Sequence, residues 1–497
     1  MEEALRSLHL FLPEVALTVA LLLVALVDAT LARWRVPATH AISALGLLAA
    51  TVLALQTAPA GEIFSGMVAV DALGAFFKAL IAAAALCVLL SFRDARELRG
   101  VHLGEFQVLL LAVTLSCMLL ATANDLVMMY LALEMVSIGS YVMVAYGKGD
   151  RLSNEASLKY VVFGAASSAV MLYGMSLLYG MTGTTKLPAI QLALQTAAPS
   201  EGGRFALHLV VLLVLAGFGF KTASVPFHFW CPDVYQGAPI PVTAYLSVAP
   251  KAAGFAVMAR FFYGGLSAPG LGGRWDLAAS AVDWPSVLMV VSVATMTLGN
   301  VAALTQTNLK RLLAYSSIAH AGYVLMGVVA LSEQGMLGII VYLLAYLVMN
   351  LGAFLVVTII HRQDGSFDVR DYPGLGKRAP FLTFAMAIFL LSLTGIPPLA
   401  GFMGKLYVFG AVIEKGRDFY AFAMIGALNA ALGAYYYFRV LRAMVIDTPS
   451  EERPAFDLCL RDKFWLGLYV AANLLAVLFW PAVEQWTRGS LVLWAGR

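Results

Sequence analysis

Charge is what this chain has least of: Asp, Glu, Lys and Arg make up 12% of its 497 residues, about half the share of a soluble domain. That shortage leaves too little polar surface for a water-exposed globule. It accompanies 61% hydrophobic residues and a mean hydropathy of +0.84. Long polar stretches are missing too. The only two of any length, about 362–379 and 447–463, are too short to build cores of their own, so no soluble domain is expected. Cysteine is equally sparse. Cys87, Cys117, Cys231 and Cys459 lie far apart, without the C-x-x-C spacing of an iron–sulfur, zinc or haem site. The Gly-rich stretch 264–273 is not framed by a strand and a helix start, and Gly374 to Lys377 lacks phosphate-loop spacing, so both are expected to be turns. The opening residues MEEALRS lack a basic patch, and the next apolar run is too long for a signal segment, so a retained first helix is expected. A net charge of +3 excludes nothing by itself.

What fills the chain is a succession of apolar runs long enough to cross a bilayer, each about 20 residues. Spans are expected at about 9–27, 40–58, 71–91, 104–121, 124–146, 157–181, 205–224, 239–263, 283–303, 310–331, 335–361, 380–414, 418–445 and 464–482. The reading is an all-α polytopic membrane protein of about fourteen helices. The twelfth run is too long for one straight span and contains Gly395-Ile396-Pro397-Pro398, which forces a break inside the membrane. The seventh breaks likewise at Pro226. Basic residues alternate in density between loops. When span-end charges are counted with the adjoining loop, nineteen fall on one side and nine on the other. The richer side is the cytoplasmic one, which places both termini outside. Four lysines remain within spans: Lys78, Lys221, Lys251 and Lys405.

Sliding the sequence by 184 residues brings Lys221 onto Lys405 and helices four to eight onto nine to thirteen. Five helices per unit is an odd number, so the second unit must cross in the opposite sense, as in the inverted repeats of ion transporters. The expected divisions are three N-terminal helices (1–103), a first repeat (104–263), a second, inverted repeat (283–445) and a C-terminal helix (446–497).

A charge at the bilayer centre costs at least about 2.5 kcal/mol, so intramembrane Lys and Glu need a reason. Lys221 and Lys251 each lie fifteen residues from Gln236, at similar depth on two antiparallel helices. Burial and like charge bring a neutral amine within reach at physiological pH, which suits proton exchange. The structural alternative is a lysine satisfied by backbone carbonyls at a helix break. Glu134, ten residues into helix five, is the natural partner of Lys221: close by it holds the amine protonated, and moving away it lets the proton go. A static ion pair fixing two helices is the alternative there. Lys405, beyond the Pro397-Pro398 break, is the expected exit group. His228 and His320 are candidate relays or packing histidines. Lys78, seven residues into helix three, is expected to be structural, its amine snorkelling to the outer surface. Asp71, Asp28 and Arg260 are expected to face headgroups.

The stretch GFGFKTASVPFHFWCPDVYQGAPIPVTAYLSVAPKAAGF (217–255) resembles the signature of the antiporter-like subunits of complex I. Its GAP-x-PVTA form, Gly237 to Ala244, is most similar to the subunit N type. Pro13-Glu14, YSSIAHAGY (315–323) and SLTGIPPLAGFMGKLYVF (392–409) are further marks, and the likeness spans all fourteen helices. The resemblance implies Glu134 and Lys221 as an interacting pair, Lys251 as the connecting residue and Lys405 as the distal lysine. It also implies a proton-translocating subunit of a bacterial inner-membrane NADH:quinone oxidoreductase. No cofactor is expected in this chain, with flavin, iron–sulfur clusters and quinone in partner subunits. The implied neighbours are sister subunit M on one side and small subunits such as K, J and A on the other, in a lipid bilayer and without nucleic acid. Three other readings are a subunit of a cation/proton antiporter or membrane-bound hydrogenase, an independent solute transporter, and a membrane scaffold.

Overall fold

The computed structural model describes residues 7–491 apart from 31–34, 58–60, 99–101, 197–200, 271–274, 278–281, 450–453 and 457. The opening MEEALR, part of the Gly-rich stretch and the last six residues therefore lie outside the described residues.

The chain folds into helices throughout. Those of eight or more residues are α1 (Leu12–Thr30), α2 (Arg35–Gln56), α3 (Ala72–Ser91), α4 (Leu103–Thr122), α5 (Leu126–Val144), α6 (Arg151–Thr182), α7 (Leu187–Thr196), α8 (Glu201–Thr222), α9 (Trp230–Gly237) and α10 (Ile240–Ala259). After these come α11 (Trp284–Ala303), α12 (Leu309–Val329), α13 (Glu333–Asp364), α14 (Pro380–Thr394), α15 (Ala400–Glu414), α16 (Tyr420–Val445), α17 (Leu460–Leu478) and α18 (Trp480–Gly489). Two small antiparallel hairpins, Gly61–Ile63 with Val68–Val70 and Ser267–Pro269 with Trp275–Leu277, interrupt them.

Among the described residues twelve helices are long and apolar enough to cross a bilayer, and α17 with α18, bent by 86°, makes a thirteenth. The remaining expected span is divided into α14 and α15, fifteen residues each, neither long enough alone. The fourteen expected spans thus all coincide with helices. Both expected breaks are present, at 223–229 and 395–399.

Helix starts follow from short polar side chains that satisfy orphan N–H groups. Asp71, Asp125, Asp150, Asp283, Asn308 and Ser332 cap α3, α5, α6, α11, α12 and α13 in this way. Burial then separates centre from rim. The span that begins with α10 is wholly buried, α12 is 94% and α13 89% buried, whereas α1 is 28% buried. Because lipid tails are as apolar as leucine, hydropathy alone does not rank these helices.

Two expectations are corrected at the N-terminal helices. Lys78 does not snorkel: it is 3% exposed and its Nζ lies 2.6 Å from Oε1 of Glu14, which is fully buried. The amine turns inward because a carboxylate on the neighbouring α1 waits at the same depth. Nor do Asp71 and Arg260 face headgroups. Arg260, 1% exposed, donates to both carboxylate oxygens of Asp71 at 2.7 Å each and to the carbonyl of Ala121 at 2.7 Å. This happens because α3 packs along α10 and the two span ends meet.

Breaking a buried pair strands a charge, at about 3–5 kcal/mol, whereas replacing both members with apolar residues is often neutral. Glu14→Leu alone or Lys78→Met alone is expected to lower heat stability and assembly sharply, and the double variant to recover most of the loss. Thermal aggregation of the detergent-solubilised protein measures this.

Candidate functional site

The two broken helices treat their lysines differently. At the first break, carbonyls at the end of α8 are already used: Phe220 O accepts from Trp230 Nε1 at 3.0 Å and Gly219 O from the N–H of Ser224 at 2.8 Å. Lys221, 2% exposed, is left with no hydrogen-bond partner for its amine. Glu134 on α5 acts on it electrostatically, but no ion pair joins the two within the described residues, and Oε1 of Glu134 is also buried and unpartnered. The expected pair is therefore not closed in this structure. Lys221 leans on α10 at Gly254, where a Cβ would lie 3.2 Å from its own Cβ. That glycine lets α8 approach within one turn of Lys251.

Lys251, 3% exposed, donates to Ser317 O at 3.0 Å and Ser317 Oγ at 2.6 Å on α12. The same hydroxyl accepts from Tyr346 OH at 2.8 Å. One turn along α12, His320 holds Tyr342 OH at 2.6 Å through Nδ1 and Tyr437 OH at 3.2 Å through Nε2. A neutral imidazole donates from one nitrogen and accepts at the other, so this ring bridges two phenols and can pass a proton between them. Lys251 and Lys405 both lie within electrostatic reach of His320.

Lys405, 7% exposed, sits six residues into α15 and reaches back across the break. It donates to Thr394 O at 2.7 Å and Leu393 O at 3.1 Å, the negative carbonyl end of α14, and lies 4.9 Å from the centre of the Tyr323 ring. Gly395 turns there at φ +88°, and its missing side chain gives the Lys405 stem its path. This corrects the expected register. Superposing Lys221 on Lys405 by 184 residues would drop the first break, 223–229, onto 407–413 inside α15. Lys221 precedes its break and Lys405 follows its own.

A likeness to known proteins covers this whole arrangement. The family model for the NADH:quinone oxidoreductase/Mrp antiporter membrane domain matches residues 123–432. NADH-quinone oxidoreductase subunit N of Anaeromyxobacter sp. (strain Fw109-5) is 47% identical, across 100% of this chain and 98% of that one. The chain belongs to this NADH:quinone oxidoreductase/Mrp antiporter family. A chain of respiratory complex I from Thermus thermophilus with bound aureothin is 31% identical, covers 95% of this chain and 98% of its own, and superposes with a TM-score of 0.77. A chain of the Mrp complex from Dietzia sp. DQ12-45-1b reaches a TM-score of 0.82 over 98% of both chains at 20% identity, a likeness of fold.

All six candidate residues fall inside the segment matched by the family model. Lys251 is bonded to the Ser317 hydroxyl and His320 to two tyrosine hydroxyls, with Lys251 and Lys405 both within electrostatic reach of His320 and Glu134 within electrostatic reach of Lys221. His228 stands apart: buried at the first break against Phe229, with Nδ1 unpartnered. Sequence reasoning missed Ser317, Tyr342, Tyr346 and Tyr437. A signal was there, since Tyr342, Tyr346 and Asn350 recur every four residues as a polar stripe on an otherwise apolar helix. Among the described residues no group of three or more His, Cys, Asp or Glu is arranged to hold a metal ion.

Proposed function

We propose that this chain is a proton-translocating membrane subunit of a respiratory NADH:quinone oxidoreductase, without redox chemistry of its own. Protons move along a buried file, Glu134 and Lys221, Lys251, His320 and Lys405, while flavin, iron–sulfur clusters and quinone work in partner subunits. The observation that carries the reading is the Lys251–Ser317–Tyr346 and Tyr342–His320–Tyr437 array, a run of titratable and hydroxyl groups at the core of a bundle. A scaffold has no use for so many buried proton donors, each costing desolvation. The 47% identity to a chain named for an NADH-quinone oxidoreductase favours that assembly over a cation antiporter.

The same reading takes helices four to eight and nine to thirteen as inverted repeats. Their packing supports it. In each unit the first helix packs on the second, the third on the broken fourth, and the fifth returns against the first. Both termini would then lie outside, in a bacterial inner membrane. The subunit would sit in a membrane arm with sister subunit M on one side and small subunits such as K, J and A on the other. Helix faces offer the main contact surface there.

Lys251 tests the reading. Lys251→Met keeps volume but removes the titrating group, and NADH-driven acidification of inverted vesicles, per assembled complex, is expected to fall to a small fraction of wild type. Ser317 and Tyr346 remain to hold a bridging water, so the loss should be partial. Wild-type pumping per electron would overturn the reading.

A further inference from the structure

Three titratable groups that the file does not use meet at one face of the bundle. Glu97 lies on the short 3-10 turn Arg96–Leu98, His361 on the last turn of α13 and Lys310 on the first turn of α12. Both carboxylate oxygens of Glu97 and Nδ1 of His361 are buried without a hydrogen-bond partner. The three act on one another electrostatically, with Asp150 facing Lys310 and Arg96 facing His361. The imidazole of His361 stacks on Phe367 at 4.0 Å, and Lys310 Nζ lies 4.8 Å from the centre of the same ring.

Lys310 is the telling member. A lysine in the first turn of a spanning helix ordinarily extends its amine to the headgroups. This one is 2% exposed and turns inward, donating to the carbonyl of Ala238 at 2.6 Å. Ala238 closes α9. One turn back on α9 is Tyr235, whose hydroxyl is buried without a partner, close to Ser317. The Tyr235 ring is 6.0 Å from Lys251 Nζ. Along α12, Ser317 stands two turns above Lys310, about 10 Å at 1.5 Å per residue, and it is the group that holds Lys251.

We propose that Glu97, His361 and Lys310 form a proton-collecting site on the cytoplasmic face that loads the file at its middle, through Tyr235 and Ser317 onto Lys251. The proposal rests on the proton-translocating reading above and on the cytoplasmic placement of the basic-rich loops. In each cycle cytoplasmic water gives up one proton to the Glu97–His361 pair, which passes it to the neutral amine of Lys310. Lys310 passes it to the neutral amine of Lys251, and the cluster returns to its starting state. The hop from Lys310 to Tyr235 needs one bridging water.

The test uses the whole complex in inverted vesicles, where the cytoplasmic face is outside. NADH oxidation and the membrane potential reported by an oxonol dye are read instead of a pH gradient, because the added base would collapse one. Glu97→Gln and His361→Gly are each expected to slow turnover several-fold per assembled complex. Millimolar imidazole should restore His361→Gly, and the solvent deuterium isotope effect of Glu97→Gln should exceed that of wild type. Lys251→Met is measured in parallel. Wild-type turnover in Glu97→Gln and His361→Gly beside an impaired Lys251→Met would overturn the collecting site alone, as would a slow His361→Gly that imidazole does not speed. Should His361→Gly fail to assemble, the isotope effect of Glu97→Gln decides: an unchanged value overturns the proposal. Wild-type pumping in Lys251→Met would instead bring down the functional reading beneath it.

Discussion

Lys405→Arg is expected to assemble and to lose nearly all pumping. A guanidinium keeps the charge and has donors enough for Leu393 O and Thr394 O, so the carbonyl end of α14 stays satisfied. It does not deprotonate in a protein. If Lys405 carries protons, pumping per electron should fall by roughly a hundredfold, the scale set by removing one proton-transfer group. Lys405→Ala should lose pumping equally and assemble less well, since two buried carbonyls then lack a donor, each at about 1–3 kcal/mol. A lysine that merely caps α14 predicts a different pattern, with Arg tolerated in both respects. Acidification of inverted vesicles driven by NADH, normalised to assembled complex on a native gel, separates the two. Wild-type pumping by Lys405→Arg would confine the proton route to the first broken helix.

Lys221→Ala, Glu134→Ala and the double variant are expected to pump alike, each down by roughly a hundredfold. Groups that act as one unit do not lose function additively. The geometry sharpens this. Lys221 Nζ and Glu134 Oε1 are both buried and both unpartnered, so neither truncation breaks an existing bond and assembly should survive. That is the reverse of Glu14 and Lys78, where a closed pair makes each single loss destabilising. An amine and a carboxylate held within electrostatic reach yet apart are suited to a gate that closes in one step of the cycle. Normal pumping by the assembled double variant would rule this out.

Much of this was legible in the chain. Runs of about 20 apolar residues leave a backbone no way to satisfy itself in lipid except as helices, so the fourteen spans follow from the sequence. Prolines without donors dictated both breaks, at Pro226 and at Pro397-Pro398. The cost of intramembrane charge singled out Lys221, Lys251, Lys405 and Glu134 before any neighbour was known. Their partners were not legible, because a partner is a fact about which helices pack. Lys78 read as a snorkelling surface lysine, and only the approach of α1 supplied Glu14. Ser317 was given no role from the sequence, and only the packing of α12 against α10 and α13 set it between Lys251 and Tyr346. Lys310 drew no notice in the sequence, and only the carbonyl at the end of α9 explains why its amine turns inward. The sequence determined which residues pay for burial; tertiary structure decided what each one meets there, because side chains far apart along the chain become neighbours only when rigid helices are laid side by side.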